Sequence, residues 1–169
     1  RLTFGENFQV SIDPYIDASH SAKVGVKSLD FSPETKLHKK FPYTSNLNLL
    51  TQARVDGFDE FVIVNQNGKV CEGAVSNFVF RIDGLWVTPD LGAGVLPGII
   101  RGLIISSGLA IEAEIEESEL SRASHAFVLS ALRVAQPVGE LAGRKLQEDE
   151  ISKQWSDKLR EILHAHSIG

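Results

Sequence analysis

Between residues 60 and 88, four short strand-like runs at 60–65, 69–72, 77–82 and 85–88 follow one another with almost no spare chain. The joints Asn67-Gly68 and Asp83-Gly84 are two-residue turn sequences of the kind that close antiparallel hairpins, because Asn, Asp and Gly reach positive φ at low cost. The block therefore predicts a meander of antiparallel strands, and whatever else the chain contains must pack around that sheet.

Helical periods appear on both sides of it. Thr44 or Ser45 is a candidate cap for a helix with Leu47, Leu50, Ala53 and Leu49 on one face, closed by Asp56-Gly57. Pro97-Gly98 opens an apolar helix over 99–106, a strand follows at 111–115, 118–123 reads as one helical turn, and 126–129 reads as a fully buried strand. Ile151, Trp155, Leu159, Ile162 and Leu163 recur at helical spacing, the pattern of an amphipathic helix laid on a core. Upstream, residues 2–12 alternate as two short strands broken at Gly5-Glu6-Asn7, a weaker strand spans 22–26, and the polar stretch 32–40 reads as a linker. The class is mixed α+β.

Composition narrows the function. Seventeen Lys and Arg stand against 22 Asp and Glu, a net charge of −5, with no basic cluster; phosphate-rich partners need concentrated positive charge, so nucleic acid and anionic lipid are disfavoured. There is no long apolar run and no leader-like start, so no membrane segment is expected and the protein is read as cytoplasmic. Cys71 is the single cysteine, which leaves no internal disulfide or cysteine-based zinc site and suits a small core residue. Five scattered histidines lack ligand spacing, so no metal is expected. The chain begins with Arg and has no Met in 169 residues, which reads as a chain lacking part of its amino end.

Four places invite chemistry, each with an ordinary alternative. Lys39 and Lys40 are either a solvated basic pair or contain a Schiff-base nucleophile. Glu72 is either an exposed strand-end acid or a buried carboxylate whose desolvation needs a cationic partner, such as a protonated pyridine nitrogen. The helix opening at Leu96-Pro97-Gly98-Ile99-Ile100-Arg101 offers free backbone N–H groups and a helix dipole to a phosphate. Ser130-Ala131-Leu132-Arg133 is either a plain strand-exit turn or a second anion-facing turn.

In order and spacing, six words are similar to those of the class IV family of pyridoxal-phosphate enzymes, which contains the branched-chain and D-amino acid aminotransferases and aminodeoxychorismate lyase. They are H-K-K-F-P-Y, A-R-V-D-G-F-D-E, N-G-K-V-C-E-G-A-V-S-N-F-V-F, D-G-L-W-V-T-P, V-L-P-G-I-I-R and S-A-L-R-V-A-Q-P-V, running from about His38 to Val138. The resemblance implies a D-amino acid aminotransferase-like fold and the cofactor pyridoxal 5'-phosphate. It assigns the Schiff-base lysine and proton shuttle to Lys39, which lies 18 residues before Gly57, rather than to Lys40. It further implies that Tyr43 faces the cofactor's phenolic oxygen, Glu72 pairs with the pyridine nitrogen, and Asn77 supports that neighbourhood. Ile99 and Ile100 amides, with Ser130 and the Ala131 amide, would hold the phosphate, and Arg101 is a family hallmark. Pro42 and Ala131 depart from the more usual Asn or Asp and Thr or Ser.

By the same resemblance, residues 1–35 end a small domain, 36–169 form the large cofactor-binding domain, and two copies pair as a homodimer around a small-molecule substrate. The S-A-L-R-x-x-x-P-V word looks more like that of the lyase relatives. The first expectation is thus a lyase that converts 4-amino-4-deoxychorismate to 4-aminobenzoate and pyruvate for folate synthesis. The alternative is an aminotransferase acting on branched-chain or D-amino acids with 2-oxoglutarate, and a third reading is a non-catalytic relative.

Overall fold

The computed structural model describes residues 2–3, 9–10, 20–30 and 43–167. Strands β1 (Leu2–Thr3) and β2 (Gln9–Val10) pair antiparallel as a separate ribbon. All other described strands join one sheet in the order β5-β4-β3-β10-β9-β6-β7-β8, with β11 added on β10. They are β3 (Ala22–Ser28), β4 (Glu60–Val64), β5 (Val70–Gly73), β6 (Asn77–Ile82), β7 (Leu85–Pro89), β8 (Ile111–Ala113), β9 (Ala123–Ser130), β10 (Val134–Leu141) and β11 (Arg144–Lys145). Helices α1 (Thr44–Val55), α2 (Ile99–Ser106) and α3 (Glu150–Ser167) complete the architecture. The α+β class holds.

The expected meander is only partly present. β4–β5 and β6–β7 are antiparallel hairpins, but β5 and β6 are not sheet neighbours, and β3–β4, β3–β10 and β7–β8 are parallel. The chain leaves the meander at the turn closed by Gly73 N–H donating to Ser76 O (2.7 Å). β6 then pairs with β9, whose run Phe127-Val128-Leu129 is buried on both faces and so needs a central place in the sheet.

Beyond β8 the sheet curls back toward β5. Val70 N–H donates to Ile115 O (2.8 Å), Glu117 N–H donates to Gly68 O (3.0 Å), and the Lys69 ammonium reaches Glu114 and Glu116. Side-chain alternation along β6 and β9 then feeds two cores. Phe78, Phe80, Ala126 and Val128 point into the curl with Val24, Val62, Val70 and Ile115. Val79, Phe127 and Leu129 point outward and are covered by Ile100 and Ile104 of α2 and by Trp155 and Leu159 of α3. Each such fully buried side chain contributes on the order of 1.5–3 kcal/mol. Cys71 is buried, as expected of a core residue.

Three local expectations change. α1 starts one residue earlier than the cap reading: Tyr43 occupies the cap position without a side-chain cap bond, and Thr44 is already helical. Its apolar face is not a core face, since only Ala53 is buried while Leu47 and Val55 are 51% and 76% exposed. β10 was not foreseen, because Pro137 and Gly139 break a strand reading; the register shift between Val138 and Glu140 takes up Gly139, while Pro137 stays in register opposite Phe127. β3 falls in the segment expected to end the small domain, yet both its partners, β4 and β10, lie in the large sheet. The expected linker at 32–40 lies outside the described residues. Among the described residues no helix is long and apolar enough to cross a membrane.

Candidate active site

The β5, β6 and β9 strand ends, the start of α2 and the residue before α1 meet around one cleft of about 240 Å³. Tyr43, Glu72, Asn77, Ile99, Ile100, Ser130 and Ala131 all line it, joined by Val75, Ser76, Leu96, Pro97, Gly98 and Leu129. Lys39 lies outside the described residues, four positions before Tyr43 in the sequence. A larger depression of about 720 Å³, lined by Val26, Glu116, Glu117, Leu141 and Arg144 among others, contains none of the residues singled out by sequence.

Glu72, next to last in β5, is 94% buried, and its Oε2 accepts the Leu96 N–H at 2.8 Å. Of the two readings of this acid, the buried one holds. Tyr43 stands beside it, and its O–H donates toward Ala74 O at 3.4 Å. Burial, then the charges of Glu72 and Glu60, push the Tyr43 phenol up to about 12, so it stays a hydrogen-bond donor at neutral pH.

The start of α2 also lines the cleft. Gly98 caps α2 with extended backbone and no side-chain cap bond, which leaves the first-turn amides of α2 without a side-chain acceptor. A side chain at 98 is impossible without rearrangement, because a Cβ there would sit 2.0 Å from Asn77 Oδ1. Asn77 Nδ2 in turn donates to Leu96 O (3.0 Å), which fixes the approach to the helix. Across the cleft, Ser130 Oγ accepts the Arg133 N–H (3.1 Å) and shapes the turn after β9. That turn ends at Val134 with φ +58°, a left-handed conformation that a β-branched residue adopts only under constraint.

Arg101 has a different place. It is 97% buried, donates through Nε and Nη2 to Pro89 O (3.3 and 2.8 Å) and pairs with Glu112. Its guanidinium pins α2 to the β7 and β8 ends and does not line the cleft. Glu60, which the sequence reading did not single out, is fully buried behind the cleft, where its carboxyl oxygens accept from Ala74 N–H, Phe61 N–H and Ser76 O–H. The only signal for it was an acid heading an otherwise apolar strand, E-F-V-I-V. Asn46, also missed, donates to Ala74 O at 2.7 Å. Among the described residues no group of His, Cys, Asp and Glu is placed to hold a metal ion.

Comparison with known proteins agrees with this geometry. Residues 3–141 match the profile of the family described as amino-transferase class IV. A probable branched-chain-amino-acid aminotransferase of Aquifex aeolicus is 28% identical over 147 residues, covering 81% of this chain and 47% of that protein. The fold IV transaminase CpuTA1 of Curtobacterium pusillum superposes with a TM-score of 0.81 at 19% identity, over 94% of this chain and 57% of that one. A putative 4-amino-4-deoxychorismate lyase of Legionella pneumophila gives 0.80 at 18% identity, over 92% and 60%. At such identities the two structures establish a shared fold. The chain spans about half the length of the relatives it matches.

Proposed function

We propose, from the premise that this chain belongs to the class IV aminotransferase family, that it is the cofactor-binding part of a pyridoxal-phosphate aminotransferase acting on branched-chain amino acids. The observation that carries the reading is the cleft with two unlike ends. A buried carboxylate at Glu72 suits a protonated ring nitrogen, and the uncapped amides of α2 opposite suit a phosphate. The residues present therefore fit the family's cofactor, which when bound supplies an electron sink for the substrate's carbanion.

In this reading Lys39 carries the cofactor covalently and, when displaced, moves the proton on the substrate carbon. Glu72 keeps the ring nitrogen protonated. Tyr43 keeps its phenol proton and faces the ring oxygen, while Ile99, Ile100 and Ala131 amides and the Ser130 hydroxyl hold the phosphate. Asn77 positions the Leu96–Gly98 approach. Residues 1–35 are taken as the end of a small domain and 36–169 as the large one, with β3 joined to the large sheet; the working assembly is a homodimer.

The S-A-L-R word favoured a lyase first, and the Legionella likeness is at the level of fold. The branched-chain aminotransferase relatives reverse that order, and the lyase stands as the second reading. Full-length protein with added pyridoxal phosphate, reduced with borohydride and mapped by peptide, is expected to carry label on Lys39. Amino transfer from leucine, isoleucine or valine to 2-oxoglutarate supports the proposal. Release of 4-aminobenzoate from 4-amino-4-deoxychorismate, with no amino transfer, replaces it by the lyase.

A further inference from the structure

We propose that Glu60 is a positioning residue of the cleft: its buried carboxyl anchors the backbone N–H of Ala74, and the carbonyl of that same residue holds Tyr43, beside Glu72, and Asn46 in place. The inference rests on the reading of the cleft as a cofactor site, but its geometry is independent of what binds there.

Glu60 is fully buried at the head of β4, behind the cleft wall. Its Oε1 accepts Ala74 N–H at 2.9 Å and Phe61 N–H at 3.1 Å, and its Oε2 accepts Ser76 O–H at 3.0 Å. All three neighbours donate, the arrangement that suits a carboxylate. Burial pushes the acid up, whereas these bonds and the charge of Arg133 pull it back. Arg133 belongs to the opposite wall, in the turn that carries Ser130 and Ala131, and its Nη1 is buried without a hydrogen-bond partner. Its charge therefore acts on Glu60 through a poorly screened interior rather than through a direct bond.

The carbonyl of Ala74 makes the connection. Ala74 O accepts from Asn46 Nδ2 at 2.7 Å and from Tyr43 O–H at 3.4 Å, so the two peptide groups that meet at Ala74 tie Glu60 to the first turn of α1. The packing leaves no slack: a Cβ on Gly73 would lie 2.2 Å from Ser76 Oγ and 3.1 Å from the Glu60 carboxyl carbon. A carboxyl on β4 is thereby coupled to two separate segments, the 73–76 turn and the residues leading out of the lysine-bearing stretch.

Full-length protein loaded with pyridoxal phosphate, as wild type, Glu60→Leu and Glu60→Gln, tests this. Glutamine keeps an acceptor for both N–H groups and turns its own N–H₂ to the Ser76 hydroxyl, so it is the conservative rescue. Glu60→Leu is expected to lower kcat about tenfold or more, with KM for the amino donor little changed, because Tyr43 and Glu72 are assigned to the cofactor. It should also shift the visible band of the bound cofactor, and Glu60→Gln should restore both. In cofactor-free protein, amide hydrogen exchange should rise about tenfold in Glu60→Leu at residues 73–76 and also at 44–47, on the far side of Ala74. Should Glu60→Leu fail to fold, Ser76→Ala removes one arm alone, with a smaller rise over the same two segments. Exchange confined to 73–76, or a folded Glu60→Leu protein with wild-type band and kcat, overturns the proposal. A wild type that takes up no cofactor refutes the proposed function instead, and the exchange measurement still decides on Glu60.

Discussion

The two ends of the β6–β9 pair are both largely shielded and chemically opposite. At one end Trp86, Phe127 and Trp155 pack with ring centroids 4.7–5.7 Å apart, and α3 closes over them. At the other, Glu72 and Glu60 accept backbone N–H groups and the Ser76 hydroxyl, Ser130 accepts the Arg133 N–H, and Asn77 donates to Leu96 O. Burial is the same in kind, but apolar contact at the first end stabilises the fold directly. The second end must satisfy every polar atom merely to offset desolvation. Stability and chemistry are thus separated along one strand pair, and substitutions should separate in the same way.

The largest effect is expected at the aromatic end. Trp155→Ala removes the ring stacked on Phe127 and its N–H bond to Leu109 O, and should cost about 3–5 kcal/mol in urea unfolding. Protein that remains folded should still bind pyridoxal phosphate, and loss of binding at unchanged folding would break the separation. Glu72→Gln is the converse. Its neutral amide still accepts the Leu96 N–H, so unfolding should change by about 1 kcal/mol or less, while amino transfer falls about 10²–10³-fold. A stability loss as large as that of Trp155→Ala would erase the distinction.

Arg101→Met probes the joint between the two ends. It strips Pro89 O of both donors and leaves Glu112 without its cation, and about 1–3 kcal/mol should be lost, with cofactor affinity falling less than for Glu72→Gln. The smallest effect belongs to the latch of α3. Asp149 accepts from His125 Nε2 (3.0 Å) and caps Ile151 N–H (2.9 Å). The His125 bond holds its carboxyl below the ordinary value of 3.8. A carboxyl depressed by folding stabilises above its unfolded value, and that contribution drains as pH falls from there through the folded one. Tm should therefore fall more steeply below about pH 3.8 in wild type than in Asp149→Asn; parallel curves would show the latch to be idle.

What the sequence made legible follows from where the information is local. α2 and its glycine opening, the hairpin turns at Asn67-Gly68 and Asp83-Gly84, and the α3 stripe are short-range patterns, and each element stands where its pattern lies. Seven of the eight residues selected for the site line one cleft, because family words record positions that act together however far apart they lie in the chain. Strand partners were not legible. Nothing local to β5 says that β6 will leave it for β9, and nothing in V-A-Q-P-V-G-E-L announces a strand whose bulge hides its period. Glu60 escaped for a related reason: an acid at a strand head reads as solvated until the Ala74 and Ser76 donors, far along the chain, are seen to close on it.

The place of β3 bears on how the molecule is made. Val24 has Glu60 on one side and Leu141 on the other, so the middle of the sheet joins chain from early, intermediate and late in synthesis. The hairpins β4–β5 and β6–β7 need only short loops to close and can form as they emerge. The β3–β10 ladder must wait for a closure of more than a hundred residues, which is slow because the loop entropy is lost before contacts repay it. Until then one edge of β3 stands open as a parallel template for any other strand. The step most exposed to misassembly is therefore the arrival of β10, the strand that also carries the end of the turn after Ser130.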